Sequence, residues 1–352
     1  MRYCLLVITT IIGASLTSCK DGRPQDITSE VIIGNGQMPN ATNDNSGNFH
    51  IVFGSGDSIM YAASTDHGKS FSAPGLVSVL PGLAASHMRG PQIAATSNGS
   101  TIIACNKEGD IFSYNMQNSG NWIKSARVND TDTVAKEQLM ALSGNQGNLY
   151  AVWLDLRDKH NKIFGAGSND GGKTWSKNAM IYASPDTTVC ECCKPSVVIE
   201  GNNVYVMFRN WLNGNRDLYL IQSSDRGLTF SNAQKLGTGS WALNGCPMDG
   251  GGVVVQDKKV QTVWNRKGKI YTCEPGMPEQ EIGEGRNCTL ETVDGKKVYA
   301  WIEKGAVTCL LPQSGKKILG KGTTPVLKAI GNEQVLCVWE NENQIHSSIL
   351  SL

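Results

Sequence analysis

Beyond Leu5 to Leu16 the chain lacks any unbroken apolar run of the roughly twenty residues that a membrane helix requires, so no spanning helix is expected in the rest of it. It also lacks an excess of either charge: 32 basic side chains stand against 31 acidic ones in 352 residues, with no Lys/Arg cluster. That balance excludes the electrostatic footprint of a nucleic-acid-binding surface. Pro-rich linkers and shifts of composition are missing too, which makes a single domain the economical reading. A chain of this length is long for one core, a limit that repeat architectures escape because each unit buries its face against the next. Internal repeats are therefore sought first.

What is present begins at the N-terminus. Met-Arg-Tyr-Cys, the apolar stretch and Thr17-Ser18-Cys19 follow the basic, apolar, small-residue order of an export signal. Leu16-Thr17-Ser18-Cys19 resembles a bacterial lipobox, which implies cleavage after residue 18, acylation of Cys19 and a polar tether over 19–29. Under this reading the remainder, 30–352, folds outside the cytosol as one body held to a membrane by its lipid. An ordinary signal peptide is the alternative.

Three segments share one pattern, S-x-D-x-G-x-[ST]-[FW]: Ser64 to Phe71, Ser168 to Trp175 and Ser223 to Phe230. Gly supplies positive φ, the Asp carboxylate can accept the turn's own N–H groups, and the aromatic gives the hairpin something to pack on. The pattern resembles the Asp box shared by sialidases and other β-propellers. There it is a structural hairpin, so Asp66, Asp170 and Asp225 are assigned no catalysis. Asp170 to Asp225 is 55 residues and Asp66 to Asp170 is 104, close to two such steps. The skipped position falls at Asn118-Ser-Gly-Asn-Trp122, which keeps the Gly and the aromatic and has lost the Asp.

Short β-rich runs separated by Gly/Asn turns fill each unit, as at 196–199, 203–208, 217–222 and 234–236. Four short strands per unit predict an all-β fold, a β-propeller. Units begin near Pro39, Pro91, Gln138, Pro195, Met248, Asn287 and Thr324, and the last is one strand short. Glu30 to Gly34 reads as the closing strand that completes it. The count is seven blades, with the six of sialidases as the alternative.

By analogy of fold, the segments that lead into the first strand of each blade line the mouth of a central channel. Here they are His87-Met-Arg-Gly-Pro91, Lys136-Glu137, Cys190-Glu-Cys-Cys-Lys-Pro195, Trp241 to Gly250 and Gly285-Arg-Asn-Cys288. Arg89-Gly-Pro91 resembles the element around the first arginine of sialidases, where a guanidinium fork grips a sugar carboxylate. Arg209, Arg266 and Arg286 are further candidate guanidinium ligands, and Trp241 a candidate sugar platform. A retaining sialidase also needs a Tyr nucleophile, its activating Glu and an Asp acid. Asp249, Glu137 and Glu191 are candidates by position, Tyr271 and Tyr299 by residue type.

Cysteine is the anomaly of the composition. Cys105, Cys273, Cys309 and Cys337 lie in apolar runs and read as small buried hydrophobes. Cys190, Cys192, Cys193, Cys246 and Cys288 lie at the expected mouth instead. A disulfide between one of the Cys190–Cys193 group and Cys246 would tie neighbouring blades. The alternative is a thiolate site for copper or zinc formed by Cys190, Cys192, Cys193 and Cys246, with His87, Met88 or Met248 adding donors. If this stretch were an alternating strand, Cys193 would point away from Cys190 and Cys192, and a bond between adjacent Cys192 and Cys193 would be strained.

The runs C-E-C-C-x-P-S, F-R-N-W-L-N-G-N-R-D-L-Y-L and W-A-L-N-G-C-P-M-D-G-G together resemble a group of bacterial Asp-box proteins called sialidase-like, over most of residues 66–257. Three functions are consistent with that resemblance. One is an exported glycan-binding or glycoside-hydrolysing protein in which Arg89 holds an acidic sugar and Asp249 acts as acid. The second is a copper- or zinc-binding or redox protein. The third is a non-catalytic binding scaffold stapled by disulfides.

Overall fold

Runs of five to ten residues rich in Val, Ile and aromatics, broken by two-residue turns, can satisfy their backbone groups only by pairing with one another. In the computed structural model, which describes residues 30–352 except Asn98 and Asn118, they pair as seven four-stranded antiparallel sheets. The expected signal (1–18), lipidated Cys19 and tether (19–29) lie outside the described residues, as does Asn118 of the skipped box. Among the described residues no helix is long and apolar enough to cross a membrane.

From the centre outward, the first blade is Gln37–Asn43, Phe49–Ser55, Ser58–Ser64 and Gly75–Val79. The second is Gln92–Thr96, Gly99–Cys105, Ile111–Met116 and Trp122–Arg127, and the third Met140–Asn145, Asn148–Asp155, Lys162–Ser168 and Ala179–Tyr182. Ser196–Glu200, Asn203–Leu212, Asn215–Ser223 and Gln234–Lys235 make the fourth, and Gly251–Gln256, Lys259–Arg266, Lys269–Cys273 and Gln280–Glu284 the fifth. The sixth is Arg286–Val293, Lys296–Glu303, Ala306–Leu311 and Gly315–Lys321. The seventh takes Thr323–Ile330, Gln334–Asn341 and Gln344–Ser351 from the C-terminal end and its outer strand, Val31–Asn35, from the other. The fold is thus a seven-bladed propeller, closed by the strand that the short last unit required. Six blades are excluded.

Consecutive inner strands pack side by side, and the seventh returns to the first. The buried apolar residues fall into seven clusters, one per interface between neighbouring blades. Trp153, Trp264, Trp301 and Trp339 occupy the second strands of the third, fifth, sixth and seventh blades, and each is inserted, fully buried, against the blade before it.

The Asp boxes explain themselves once the ring is assembled. In each, the serine hydroxyl donates to the Asp and accepts the N–H of the box glycine (Gly68, Gly172 or Gly227) at 2.8–2.9 Å. The same Asp takes the following Ser/Thr through both its N–H and its hydroxyl. The hairpin then lies on the preceding blade: Thr101 and Ser113 donate to the carbonyls of Gly171 and Gly172, and Tyr150 to that of Gly227. In the degenerate box Trp122 keeps this duty, set edge-on against Tyr61 at 5.1 Å.

Candidate functional site at the channel mouth

The inner strands enclose a channel of about 510 Å³, lined by residues of all seven blades. The chain turns into it through left-handed residues that are not glycine: Met38 (φ 56), Met88 (φ 69), Gln138 (φ 51), Met248 (φ 47), Asn287 (φ 53) and Thr324 (φ 55). Such conformations cost on the order of 1–3 kcal/mol each and persist where surrounding structure over-determines them. The fourth blade alone turns inward without one, through Cys190 to Pro195.

The segments singled out from the sequence do meet across blade boundaries. Arg89 donates through Nε to the Glu137 carbonyl at 2.8 Å and through Nη1 to that of His87 at 3.1 Å, while its Nη2 lies 3.6 Å from the Glu137 carboxylate. Burial, opposed by Arg89 and assisted by Glu191, raises the Glu137 carboxyl. Arg209 is buried, and its guanidinium is spent on the carbonyls of Asp249, Arg216 and Asn265 at 3.4, 2.8 and 2.9 Å. Trp241 lies 5.4 Å from that guanidinium and receives the Arg216 N–H on its carbonyl. Arg266 forms a two-armed ion pair with Glu279 and stacks on Tyr271 at 4.1 Å, so its charge is already matched. Arg286 is exposed and does not line the channel, which begins with its neighbour Asn287. Neither Tyr271 nor Tyr299 lines the channel: Tyr271 packs on Trp264, and the Tyr299 hydroxyl bonds Thr272 at 3.1 Å.

Inside the channel Asp249 is buried, its Oδ2 accepting the Asn287 N–H at 3.1 Å while Oδ1 has no partner, and the Asn287 Oδ1 is likewise unmatched. Burial pushes the Asp249 carboxyl up to about 6 against the pull of Arg209 and Arg286. Lys194, on the neighbouring blade, reaches the second blade to donate to Gln92 Oε1 at 2.8 Å. Burial by itself pushes its ammonium down to about 8, and no carboxylate within the described residues pairs with it. Lys194, Gln92 and Asn287 were not among the residues expected to bind. The signal that could have found them is their place beside Pro195, Pro91 and Cys288, at the start of an inner strand.

The cysteines at the mouth split two ways. Cys192 is disulfide-bonded to Cys246, tying the fourth blade's approach to the fifth's. Cys190 and Cys193 are free and buried, with sulfurs 3.3 Å apart, and Cys190 Sγ lies 3.8 Å from Cys192 Sγ. Contrary to the alternating-strand expectation, Cys193 faces Cys190, because residues 190–193 form a turn. Cys192 bonds Cys246 and not its neighbour Cys193. The cysteine sulfurs of 190, 192 and 193 make the group compact enough to hold a metal, and His87 is not in it. With Cys192 committed to Cys246, that group keeps two free sulfurs, short of the four ligands a structural zinc takes. Cys288 is buried beside Asp249, and Cys105, Cys273, Cys309 and Cys337 are buried in strands.

Fold and site define a class, an Asp-box propeller whose channel mouth is built from acid, amine and sulfur groups. The chain belongs to the BNR repeat-like domain family, which it matches over residues 46–265. No curated protein matches it. Its fold is similar to that of an α-L-arabinofuranosidase of Fusarium graminearum solved with an iminosugar inhibitor (TM-score 0.53, 14% identity, 93% of this chain and 98% of that one). A lectin of Aleuria aurantia solved with Fucα1-6GlcNAc is similar over 83% of this chain and 96% of its own (TM-score 0.53, 9% identity). The NanB sialidase of Streptococcus pneumoniae matches at TM-score 0.46 and 13% identity, over 90% of this chain and 68% of that one.

Proposed function

We propose that this propeller is an exported, lipid-anchored protein that binds an acidic glycan at its channel mouth. The observation that carries the reading is Lys194, an ammonium held in the channel with no matching carboxylate. A half-buried cation without a counter-charge favours an anionic ligand. Asp249 and Asn287, whose Oδ1 atoms are buried acceptors without a partner, line the same channel, and Arg286 adds an exposed positive charge one residue before Asn287. Lectin and glycosidase propellers among the solved neighbours support a carbohydrate ligand.

Binding is favoured over hydrolysis because cleavage needs two carboxyl groups flanking the scissile bond. Asp249 has the raised carboxyl of an acid, but Glu137 is engaged by Arg89, the other carboxylates lining the channel, Asp44 and Glu291, are engaged by Asn48 and Lys328, and no tyrosine among the described residues lines it to act as nucleophile. Titration calorimetry against uronate- and sialate-bearing oligosaccharides tests the reading. Lys194→Met should weaken binding about tenfold or more, and wild-type affinity should fall above pH 8 as the ammonium loses its proton. Equal binding of neutral and acidic sugars by both proteins, or none by either, would reject it.

A further inference from the structure

The sulfur cluster is unused by that reading and carries a separate one. Cys190-Glu-Cys-Cys193 contains a Cys-x-x-Cys pair, whose first cysteine is the usual nucleophile of thiol–disulfide chemistry. Its geometry here is that of a working pair. Cys190 Sγ and Cys193 Sγ lie 3.3 Å apart, within hydrogen-bonding distance of each other, and Arg216 Nη1 donates to Cys190 Sγ at 3.1 Å. The bond from Cys193, with the nearby charges of Arg209 and Arg216, draws the Cys190 thiol down toward thiolate, while burial pushes Cys193 up. A disulfide stands within reach, 3.8 Å from the thiolate. The four sulfurs also form a gradient of access: Cys190 and Cys193 buried, Cys192 half-buried and Cys246 exposed.

We infer that Cys190 and Cys193 are a buried dithiol in exchange with the Cys192–Cys246 disulfide, which makes the mouth a thiol–disulfide exchange site for an external thiol or disulfide. In the first step the Cys190 thiolate attacks Cys192 Sγ, forming Cys190–Cys192 and expelling Cys246 as a thiolate. In the second, the Cys193 thiol gives up its proton to the expelled thiolate and attacks Cys190 Sγ, forming Cys190–Cys193 and releasing Cys192. One disulfide is made and one broken, and two electrons pass from the buried pair to the outer pair with no added reagent. The exposed Cys246 thiol, once it has passed its proton to solvent, is then the group that attacks a partner's disulfide, and in reverse the outer disulfide accepts a partner's thiolate. This inference is independent of glycan binding, since none of the four cysteines is needed to hold an acidic sugar.

The test is alkylation with mass-spectrometric disulfide mapping on the full chain. In Cys193→Ser the second step is blocked, so Cys190–Cys192 should accumulate and Cys246 should label without added reductant, about tenfold above a Cys190→Ser, Cys193→Ser double variant. Wild type, equilibrated across a series of reduced to oxidised glutathione ratios, should pass through a species carrying Cys190–Cys193 with Cys192 and Cys246 labelled. This arm stands if the variants fail to fold. A reduced peptide dithiol offered in place of glutathione separates protein partners from small thiols, and exchange with either above the double-variant background supports the site. Persistence of Cys192–Cys246 with free Cys190 and Cys193 at every ratio would overturn the inference. So would one equivalent of tightly bound metal in the purified protein, lost when these cysteines are replaced.

Discussion

Two side chains in the channel, Asp249 and Lys194, carry ionisations displaced by burial in opposite senses. Asp249 has its carboxyl raised to about 6 from an ordinary 3.8, so the native state holds its proton more tightly than the unfolded chain does. That contribution to stability is complete below the unfolded value and is lost as pH rises through the folded one. Between about pH 4 and 6 the wild type should therefore lose stability relative to Asp249→Asn by on the order of 2–3 kcal/mol. Urea unfolding of both proteins at several pH values reads the difference directly; a constant gap would mean that the carboxyl is solvated. The residue scale was poorly legible in the sequence. Arg89, Arg209 and Arg266 look like Arg286 in a string of letters, yet only the packed structure shows that the first three are occupied, by backbone carbonyls and by the carboxylates of Glu137 and Glu279.

At the scale of the element, the Asp box was readable and its purpose was not. S-x-D-x-G fixes a hairpin because the Asp and Ser satisfy the turn's own donors, which is chemistry local to eight residues. What the sequence does not contain is the neighbouring blade that the hairpin grips. A Cβ on Gly227 would lie 2.1 Å from the Tyr150 ring, at a φ of 83° that already disfavours it. Gly227→Ala should thus destabilise by about 3 kcal/mol or more, whereas Asp170→Ala, which removes hydrogen bonds from an exposed turn, should cost about 1–2 kcal/mol. Thermal melts of the two variants rank them, and an equal or reversed order would mean that the boxes are held by their internal bonds alone. The Cys190–Cys193 segment is legible in part for a related reason: the expected bond from this group to Cys246 forms, through Cys192. Strand alternation would point Cys193 away from Cys190, and the turn at 191–192 brings their sulfurs together instead.

For the whole molecule, closure is the decisive feature. Val31–Asn35 pairs with Gln344–Ser351, so the ring is held by hydrogen bonds between the two ends of the described chain. Deleting 30–35 would leave the seventh blade with three strands, a bare edge over residues 344–351, and Ile33 missing from the cluster between the seventh and first blades. Exposed edges invite pairing with other chains. Light scattering should find dimers or larger species and the melting transition should fall or broaden; a monomer with unchanged melting would show that the inner strands and blade interfaces close the ring unaided.

The sequence by itself determined the repeat, because its turn chemistry and strand alternation are local and recur at a nearly fixed step. It also determined the ring's closing strand, since a unit short of one strand at one end has to be completed by a spare strand at the other. Only tertiary structure decided which arginines are free, that Cys192 takes Cys246, that Cys190 faces Cys193, and that Lys194 is left without a counter-charge. The disulfide and the Lys194 contact join segments some 50 to 100 residues apart, set by where blades place their ends, and the approach of Cys190 to Cys193 depends on a turn that the blade boundary imposes. A linear pattern records each segment's own preferences, and it has no term for the neighbour that will satisfy or strand its polar groups.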